Sequence, residues 1–138
     1  MPQDLTSLDE NPSSMQHIVK DRFASGLGME VIEARPGYGV ARLVIDDQHL
    51  NAVDTVHGGV FFTLADYAFG AATTNFDNET VTLTASIDYI ATGPKGTVFT
   101  AVAKEIAATR RTSRYDAEVR DETGKLMATA HFVGYRKG

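Results

Sequence analysis

One long segment, Gly58–Ala72, is apolar on nearly every side and carries a single charge. Asp66 is the only charged residue between Gly58 and Asn75, and the glycines of His57-Gly58-Gly59 mark the start of a helix. A helix that is hydrophobic almost all round is a buried helix. One thin layer of structure cannot cover it, so the rest of the chain must wrap around it.

The covering layer is predicted to be a β-sheet. After Asn75 the helical period gives way to alternation of apolar and polar residues. Val81–Tyr89 alternates most clearly, which predicts a half-buried strand. Further strands are predicted between turn residues, at Met29–Ala34, Val40–Ile45, Thr97–Ala108, Arg114–Arg120 and Leu126–Tyr135. The fold class is therefore α+β, a curved antiparallel sheet of roughly five to six strands wrapped around a long central helix.

The region before these strands divides into a tail and a helix. Residues 1–14 are polar and predict a flexible N-terminal tail. A helix is predicted to follow and to end at Gly26 and Gly28, because apolar residues recur at helical spacing: Met15, Ile18, Val19, Phe23 and Leu27. Residues 46–55 read as a polar loop. Residues 15–138 contain no linker or repeat, so we expect a single domain of that extent.

The composition excludes several kinds of site. The chain has no cysteine, which rules out disulfides, thiolate metal sites and a cysteine nucleophile. The net charge of −5 argues against nucleic acid as a partner. Residues 104–138 nevertheless carry eight Lys/Arg against five Asp/Glu, and Arg110, Arg111 and Arg114 lie within five residues. A local basic cluster on an acidic protein suits a compact phosphorylated ligand better than a polymer.

The sequence shows no pattern typical of a secretion signal, a membrane span or a metal site. No cationic start precedes an apolar run, and no apolar stretch is long enough to span a bilayer. We therefore expect a cytoplasmic protein with no membrane partner. His17, His49 and His131 fall on different predicted elements, so no metal site is predicted. We expect no cofactor.

Asp66 is the strongest candidate for a reactive group. An unpaired carboxylate in apolar surroundings is costly, and the helix start supplies exposed N–H groups that favour negative charge. Together they predict a reaction site. The alternative is a buried acid that pairs with a cation in a dimer.

The motifs resemble one known family. Asn51, His57-Gly58-Gly59 and Leu64-Ala65-Asp66 occur in the order typical of hotdog-fold thioesterases, specifically the phenylacetate-degradation (PaaI-like) acyl-CoA thioesterase family. The resemblance runs from about Met15 to near the end of the chain. It continues in residues 86–90 (SIDYI), 110–113 (RRTS) and 119–126 (VRDETGKL). His-Gly-Gly alone is a weak signal, but this combination is a strong one.

The resemblance assigns roles to particular residues. It implies that Asp66 is the catalytic carboxylate, that the Gly58 N–H polarises the thioester carbonyl, and that Asn51 and His57 shape the same pocket. It also implies a set that contacts substrate and CoA: Gly59, Arg110, Arg111, Thr112 and Ser113. Some related enzymes carry Thr or Ser one helical turn after the acid. That position is Gly70 here, so such a hydroxyl is missing or comes from Thr63 or Thr73.

Hydrolysis of a small or medium acyl-CoA, aromatic acyl groups included, is the expected reaction. A thiolate leaves readily, so one carboxylate and one helix start can suffice. Asp66 could act as a general base or as a nucleophile through a mixed anhydride, and the Gly58 N–H could stabilise the oxyanion.

Helix geometry then predicts a shared site. Eight residues of helix rise roughly 12 Å, so Gly58 and Asp66 of one chain cannot act on the same carbonyl carbon. Two antiparallel helices from two subunits would bring them together at a twofold interface. The family resemblance implies a homotetramer of such homodimers.

Alternatives stay open for several residues. His57 could be structural or could contact substrate, Asn51 could be a turn residue, and Arg110–Arg114 could be a solvated strand end. One or two aromatic residues of the helix could line the acyl pocket, although most belong to the core.

Two other functions also stay open. A hotdog-fold enoyl-thioester hydratase or dehydratase would use His57 and Asp66 from opposite subunits. A non-catalytic acyl-CoA-binding module would need neither.

Overall fold

The computed structural model describes residues 18, 21–74 and 79–137. Residues 21–74 and 79–137 contain these elements in chain order: α1 (Arg22–Gly26), β1 (Glu30–Arg35), β2 (Tyr38–Val44), a short 3₁₀ helix (Asp47–His49), α2 (Gly58–Thr73), β3 (Thr80–Tyr89), β4 (Val98–Ala108), β5 (Thr112–Arg120) and β6 (Leu126–Arg136). The strands form one antiparallel sheet in the order β1-β2-β4-β5-β6-β3. The predicted α+β fold, a curved sheet around one long helix, is confirmed.

Helix α2 crosses the sheet at its closest point over Gly39 of β2. A Cβ at Gly39 would lie 2.1 Å from the Ala68 carbonyl oxygen and 2.6 Å from the Ala72 backbone nitrogen. Only glycine allows the helix to approach the strand so closely. This contact fixes the helix C-terminal half over β2, and the Gly37 N–H donates to the Ala72 carbonyl at 3.0 Å.

Aromatic rings join the helix to the sheet along its length. Phe61 stacks on Phe99 with ring centroids 4.9 Å apart, and Phe69 stacks on Phe132 at 4.8 Å. Phe61, Tyr67 and Phe69 are all buried, so these helix aromatics belong to the core as predicted. The remaining one, Phe62, is half-buried.

The prediction of one continuous helix up to Leu27 is wrong, because the helix is interrupted at Asp21. Asp21 has extended backbone angles, φ −64° and ψ 99°, and its carboxylate accepts the Ala24 N–H at 3.0 Å. An aspartate with this geometry is an N-cap, so it begins helix α1 rather than continuing an earlier turn. The predicted tail, residues 1–14, and the predicted helix start at Met15 lie outside the described residues.

Strand β3 lies at the edge of the sheet and is less covered than predicted. It pairs with β6 on one side and with no other strand of the described chain on the other. None of its ten residues is buried, although the alternation predicts a half-buried strand. The reason is position, since α2 lies over β2 and β4 rather than over this edge. Leu83 stays 59% exposed and Tyr89 stays 55% exposed.

No helix in the described ranges has the length and apolar character needed to cross a membrane.

Candidate active site

The loop before α2 is held by a buried histidine. The Asp46 N–H donates to His49 Nδ1 at 2.8 Å, and His49 Nε2 contacts the Leu27 carbonyl oxygen at 2.6 Å. The His57 N–H then donates to the His49 carbonyl at 2.9 Å. Residues 46–55, predicted to be a polar loop, therefore contain a 3₁₀ helix and an internal anchor. The anchor ties α1 to the start of α2.

Asn51 closes the next turn of the same loop. Its Oδ1 accepts the Val53 and Thr55 N–H groups at 3.0 and 3.1 Å, and its Nδ2 donates to Thr55 Oγ1 at 2.8 Å. Asn51 therefore acts as a turn residue, which is one of the two roles that the sequence allowed for it. Asn51 thus positions the loop that delivers the helix start.

His57 caps helix α2 with its side chain. The Gly59 N–H donates to His57 Nδ1 at 2.9 Å. Nδ1 must therefore be unprotonated, which leaves Nε2 as the N–H of the neutral ring. His57 is exposed, so its Nε2–H is available as a hydrogen-bond donor to a ligand beside the helix start.

Gly58 is the first residue of α2 and offers a free amide. Its N–H has no acceptor within residues 21–74 and 79–137, as expected for the first turn of a helix. Its carbonyl oxygen accepts the Tyr89 hydroxyl at 3.1 Å. A Cβ here would lie 3.1 Å from Tyr89 Cζ, so a side chain would press on that ring. Gly58 thus combines an available donor with an uncrowded approach.

Asp66 lies two helical turns further along α2, on a stripe that the sheet does not cover. The half-buried residues of the helix all fall on this stripe: Gly58, Phe62, Thr63, Asp66, Gly70 and Thr73. The Asp66 carboxylate has no hydrogen-bond or ion-pair partner in the described part of the chain. Burial raises its pKa above the ordinary value, and the negative charge of Asp21 raises it further. A carboxylate without partners and with a raised pKa is suited to accept a proton.

The hydroxyls next to Asp66 are already engaged as donors. Thr63 Oγ1 donates to the Gly59 carbonyl at 2.7 Å, and Thr73 Oγ1 donates to the Gly70 carbonyl at 3.1 Å. Each oxygen can still accept a hydrogen bond from water. Thr63 lies on the same stripe as Asp66, less than one turn away.

A groove of about 490 Å³ opens beside the helix start. Its lining comes from α1, the 46–57 loop, the first turns of α2 and the end of β3: Phe23, Leu27, Gln48, Leu50, His57, Gly59, Val60, Phe62, Thr63 and Tyr89. Most of these side chains are apolar. Phe23 is 69% exposed on its rim. The groove can hold an apolar group of moderate size next to the Gly58 peptide.

Comparison with known proteins agrees with this geometry. Residues 54–128 match the thioesterase superfamily, a range that contains Gly58, Asp66 and Tyr89. The chain belongs to the thioesterase superfamily. It is similar to the acyl-coenzyme A thioesterase PaaI of Escherichia coli K12, with 30% identity over 86% of this chain and 84% of that protein.

Two solved structures have the same architecture. The E. coli PaaI protein of the phenylacetic acid degradation operon superposes with a TM-score of 0.85 and 28% identity over 91% of each chain. A hypothetical thioesterase from Streptococcus pneumoniae TIGR4, solved with coenzyme A, gives a TM-score of 0.82 and 26% identity over 90% of this chain and 97% of that one. The chain is a PaaI-like hotdog-fold thioesterase. These matches favour hydrolysis over the hydratase, dehydratase and non-catalytic alternatives.

The basic cluster of this thioesterase lies at the opposite end of α2 from Gly58. Arg110 and Arg111 are exposed in the turn between β4 and β5. That turn follows the end of β4, the strand that pairs with β2 where Gly37 meets the helix C-terminus. Within one protomer, the structure therefore does not bring the arginines to Gly58.

Thr112 and Ser113 differ in what they can reach. Thr112 Oγ1 hydrogen-bonds Thr109 Oγ1 at 2.8 Å across the turn. Ser113 already belongs to β5 and faces the core with Tyr115 and Ala117. It is 1% exposed, and its hydroxyl has no partner among the described residues. The predicted contact of Ser113 with CoA stays a prediction, but the solvent-facing candidates in this turn are Arg110 and Arg111.

The histidines outside the helix start are separate from one another. His49 anchors the loop, and His131 Nδ1 contacts Asp116 Oδ1 at 2.9 Å on the outer face of the sheet. His17 lies outside the described residues. In the ranges that the structure covers, no three His, Asp or Glu side chains converge as metal ligands.

Two residues of the site went unrecognised in the sequence. Tyr89 reads as one more inward-facing residue of an alternating strand, and Asp21 as an ordinary polar residue of a helix. Tyr89 lies four residues before the turn sequence of residues 93–96 (GPKG), so its place at a strand end was visible. Its contact with Gly58, 31 positions away along the chain, depends on how the sheet curves and has no local signal.

Proposed function

We propose that this thioesterase hydrolyses CoA thioesters of small or medium acyl groups, aromatic ones included, at two sites that each combine residues of two protomers. The proposal rests above all on one observation. The free Gly58 N–H and the unpartnered Asp66 carboxylate lie on one rigid helix, with a separation of roughly 12 Å by helical rise.

The chemistry needs a donor and a base at the same carbon. In the proposed site the Gly58 N–H, at the positive end of the helix dipole, donates a hydrogen bond to the thioester oxygen and stabilises the negative charge that develops there. Asp66 of the partner subunit removes a proton from water, whose oxygen attacks the carbonyl carbon, or attacks that carbon itself to form a mixed anhydride that water then hydrolyses. In either route the C–S bond breaks, and CoA leaves as the thiolate. Asn51 holds the loop that leads to the donor, and the His57 side chain caps the helix turn that begins with it. No cofactor takes part in the proposed reaction.

The edge strand and the half-buried helix stripe support the dimer. Strand β3 has an edge that no other described strand pairs, and its apolar residue Leu83 is 59% exposed. Exposed edges with apolar side chains are sites of pairing between chains. Pairing of two β3 strands across a twofold axis would place the two α2 helices antiparallel. Gly58 of one chain would then lie beside Asp66 of the other.

The groove supports the assignment of the acyl group. Its volume of about 490 Å³ lies within the roughly 300–1,000 Å³ of typical small-molecule sites. Phe23, Leu27, Leu50 and Phe62 line it with apolar surface. Such a lining suits an aryl or short alkyl group, and no Lys or Arg is among the described residues that line it.

The antiparallel arrangement also gives the arginines a role. The C-terminal end of one α2 would lie on the same side as the N-terminus of the other. Arg110 and Arg111 would therefore flank the partner subunit's helix start, where they could contact CoA phosphates, and the CoA-bound S. pneumoniae structure supports CoA as the carrier. We extend the proposal to a homotetramer of two such dimers that acts in the cytoplasm.

A panel of acyl-CoA substrates tests the proposal. Release of free thiol, followed with a thiol-reactive dye, should be fastest for phenylacetyl-sized acyl groups and slower for long chains. The Asp66→Asn variant should lose kcat by about 10²–10⁴-fold, the usual contribution of a general base, with an unchanged circular dichroism spectrum. Wild-type turnover by Asp66→Asn would remove Asp66 from the mechanism. Hydration of an enoyl-CoA without thiol release would favour the hydratase alternative.

A further inference from the structure

The peptide between Gly58 and Gly59 is held at both ends. Tyr89 donates its hydroxyl to the carbonyl oxygen at 3.1 Å, and His57 Nδ1 accepts the N–H at 2.9 Å. The Tyr89 ring is fixed in turn by an edge-to-face contact with buried Phe61, with centroids 6.0 Å apart. Two side chains from different elements thus set the orientation of one peptide at the helix start.

Tyr89 also stands between two cavities. The groove of about 490 Å³ lies on one side of the ring. A second cavity of about 350 Å³ lies on the other, lined by Val56, Gly58, Phe61, Tyr89, Ile90, Ala91 and Thr92. Of the described residues, Tyr89 alone lines both. The two cavities therefore meet at this ring, directly over Gly58.

The two cavities differ in their walls. The larger one is an open groove, lined mainly by apolar side chains of α1, the 46–57 loop and α2. The smaller one runs along residues 90–92, which follow the end of β3. The Ile90 and Ala91 N–H groups there donate to the Met127 carbonyl oxygen, at 2.9 and 3.0 Å. The apolar cavity suits the acyl group. The backbone carbonyl groups along the smaller cavity suit a chain of amides, the chemistry of the thiol arm of CoA.

We propose that Tyr89 is a positioning residue that holds the thioester over Gly58. Its hydroxyl fixes the carbonyl of Gly58, the residue whose own N–H is the oxyanion donor, and its ring divides the acyl cavity from the cavity for the thiol arm. The substrate bends over the ring, so the carbonyl carbon lies at the division. This inference rests on the proposed function. It adds that Tyr89 sets the boundary between the acyl group and the thiol arm of the substrate.

Tyr89→Phe tests the hydroxyl. The variant keeps the ring and loses one hydrogen bond, which corresponds to a loss of kcat of about 3- to 10-fold. KM should stay within twofold, because the hydroxyl contacts the backbone rather than the substrate. Tyr38→Phe is the matched control, since Tyr38 lies on the outer face of β2 beneath Arg35, and it should retain wild-type kcat. Equal kcat for Tyr89→Phe and wild type would overturn the role of the hydroxyl.

Tyr89→Ala tests the division between the cavities. Its ratio of kcat/KM between phenylacetyl-CoA and acetyl-CoA should fall toward one, while its sedimentation stays at the wild-type mass. Unchanged selectivity would overturn the proposal, and so would dissociation, which would make Tyr89 an interface residue instead. Asp66→Asn measured in parallel separates the two proposals. An inactive Asp66→Asn with a wild-type-like Tyr89→Ala contradicts only the role of Tyr89, whereas an active Asp66→Asn contradicts the proposed function itself.

Discussion

At the scale of single residues, the reactivity of Asp66 depends on what surrounds its carboxylate. The apolar helix removes water from it, and Asp21 at the start of α1 adds a second negative charge. Both effects disfavour the ionised form. A base with a raised pKa binds the transferred proton more strongly, which general-base catalysis near neutral pH requires.

Asp21→Asn should move the pH profile without changing the fold. Asparagine caps a helix as well as aspartate does, so α1 should persist. Without the Asp21 charge, the pKa of Asp66 should fall toward its ordinary value. The acid limb of kcat/KM should then move to lower pH, because the active carboxylate persists further into acid.

A remote charge serves as the control for that shift. Asp88 lies on the outer face of β3, and Asp88→Asn should leave the acid limb unmoved. The Asp21→Asn shift should also shrink at high ionic strength if any of it acts through solvent. An acid limb that stays in place, or moves to higher pH, would contradict the assigned influence of Asp21.

The Gly58 N–H can be removed without removing the helix. Proline is favoured at the first helical position, where the N–H has no partner, and His57 at φ −62° and ψ 133° already has the backbone angles that a residue before proline needs. Gly58→Pro should therefore lower kcat by about 10²–10³-fold, the cost of one oxyanion donor. Thiol-release kinetics on phenylacetyl-CoA measure it.

Gly58→Ala is the matched variant. It adds the same Cβ against Tyr89 but keeps the N–H, so it reports the steric cost alone. Its kcat should fall far less than that of Gly58→Pro. Equal losses in the two variants would assign the effect to crowding and would remove the amide from the mechanism.

At the scale of elements, the edge strand β3 carries the proposed interface. Leu83→Lys places a charge on a side chain that is 59% exposed in the protomer and buried in the proposed dimer. Burial of an unpaired charge is unfavourable, so the variant should sediment as a monomer and lose thioesterase activity. Val44→Lys changes an exposed apolar residue on β2 and should keep both the dimer and the activity. A fully active Leu83→Lys monomer would contradict the shared site.

Elements with a strong local period were predictable from the sequence. Helix α2 and strand β5 carry their patterns in their own residues, and their predicted ranges differ from the observed ones by at most two positions. Ser113 shows why an error of two positions matters. The sequence predicts that β5 begins at Arg114, which leaves Ser113 in the preceding turn. In the structure β5 begins at Thr112, and Ser113 is the first of its buried, inward-facing residues. The break at Asp21 was also missed, because the apolar spacing continues through it.

The site residues that stand out in their own segment could be predicted, and those that join the site through contacts between distant segments could not. Asp66 and Gly58 stand out because a charge and two glycines interrupt an apolar run. The sequence placed Asn51 and His57 at the site, but nothing in its pattern predicts their hydrogen bonds to Thr55 and Gly59. Tyr89 joins the site only because β3 and the 46–57 loop meet in space. Contacts between distant segments have no period to reveal them.

At the scale of the whole molecule, each proposed site is divided between two chains. In the proposed dimer, each protomer contributes one Gly58 and one Asp66, but to different sites. A variant that lacks either group would then damage both sites of its own homodimer. Mixing two such variants has a different consequence, because a heterodimer assembles one intact site and one doubly defective site.

Subunit mixing of Asp66→Asn with Gly58→Pro measures this directly. The two inactive proteins are refolded together in equal amounts and assayed for thiol release from phenylacetyl-CoA. Random pairing makes half of the dimers heterodimers, so activity should return to about one quarter of wild type. If both groups acted within one chain, no protomer in the mixture would be intact. The mixture would then be as inactive as its components, and that result would contradict the shared site.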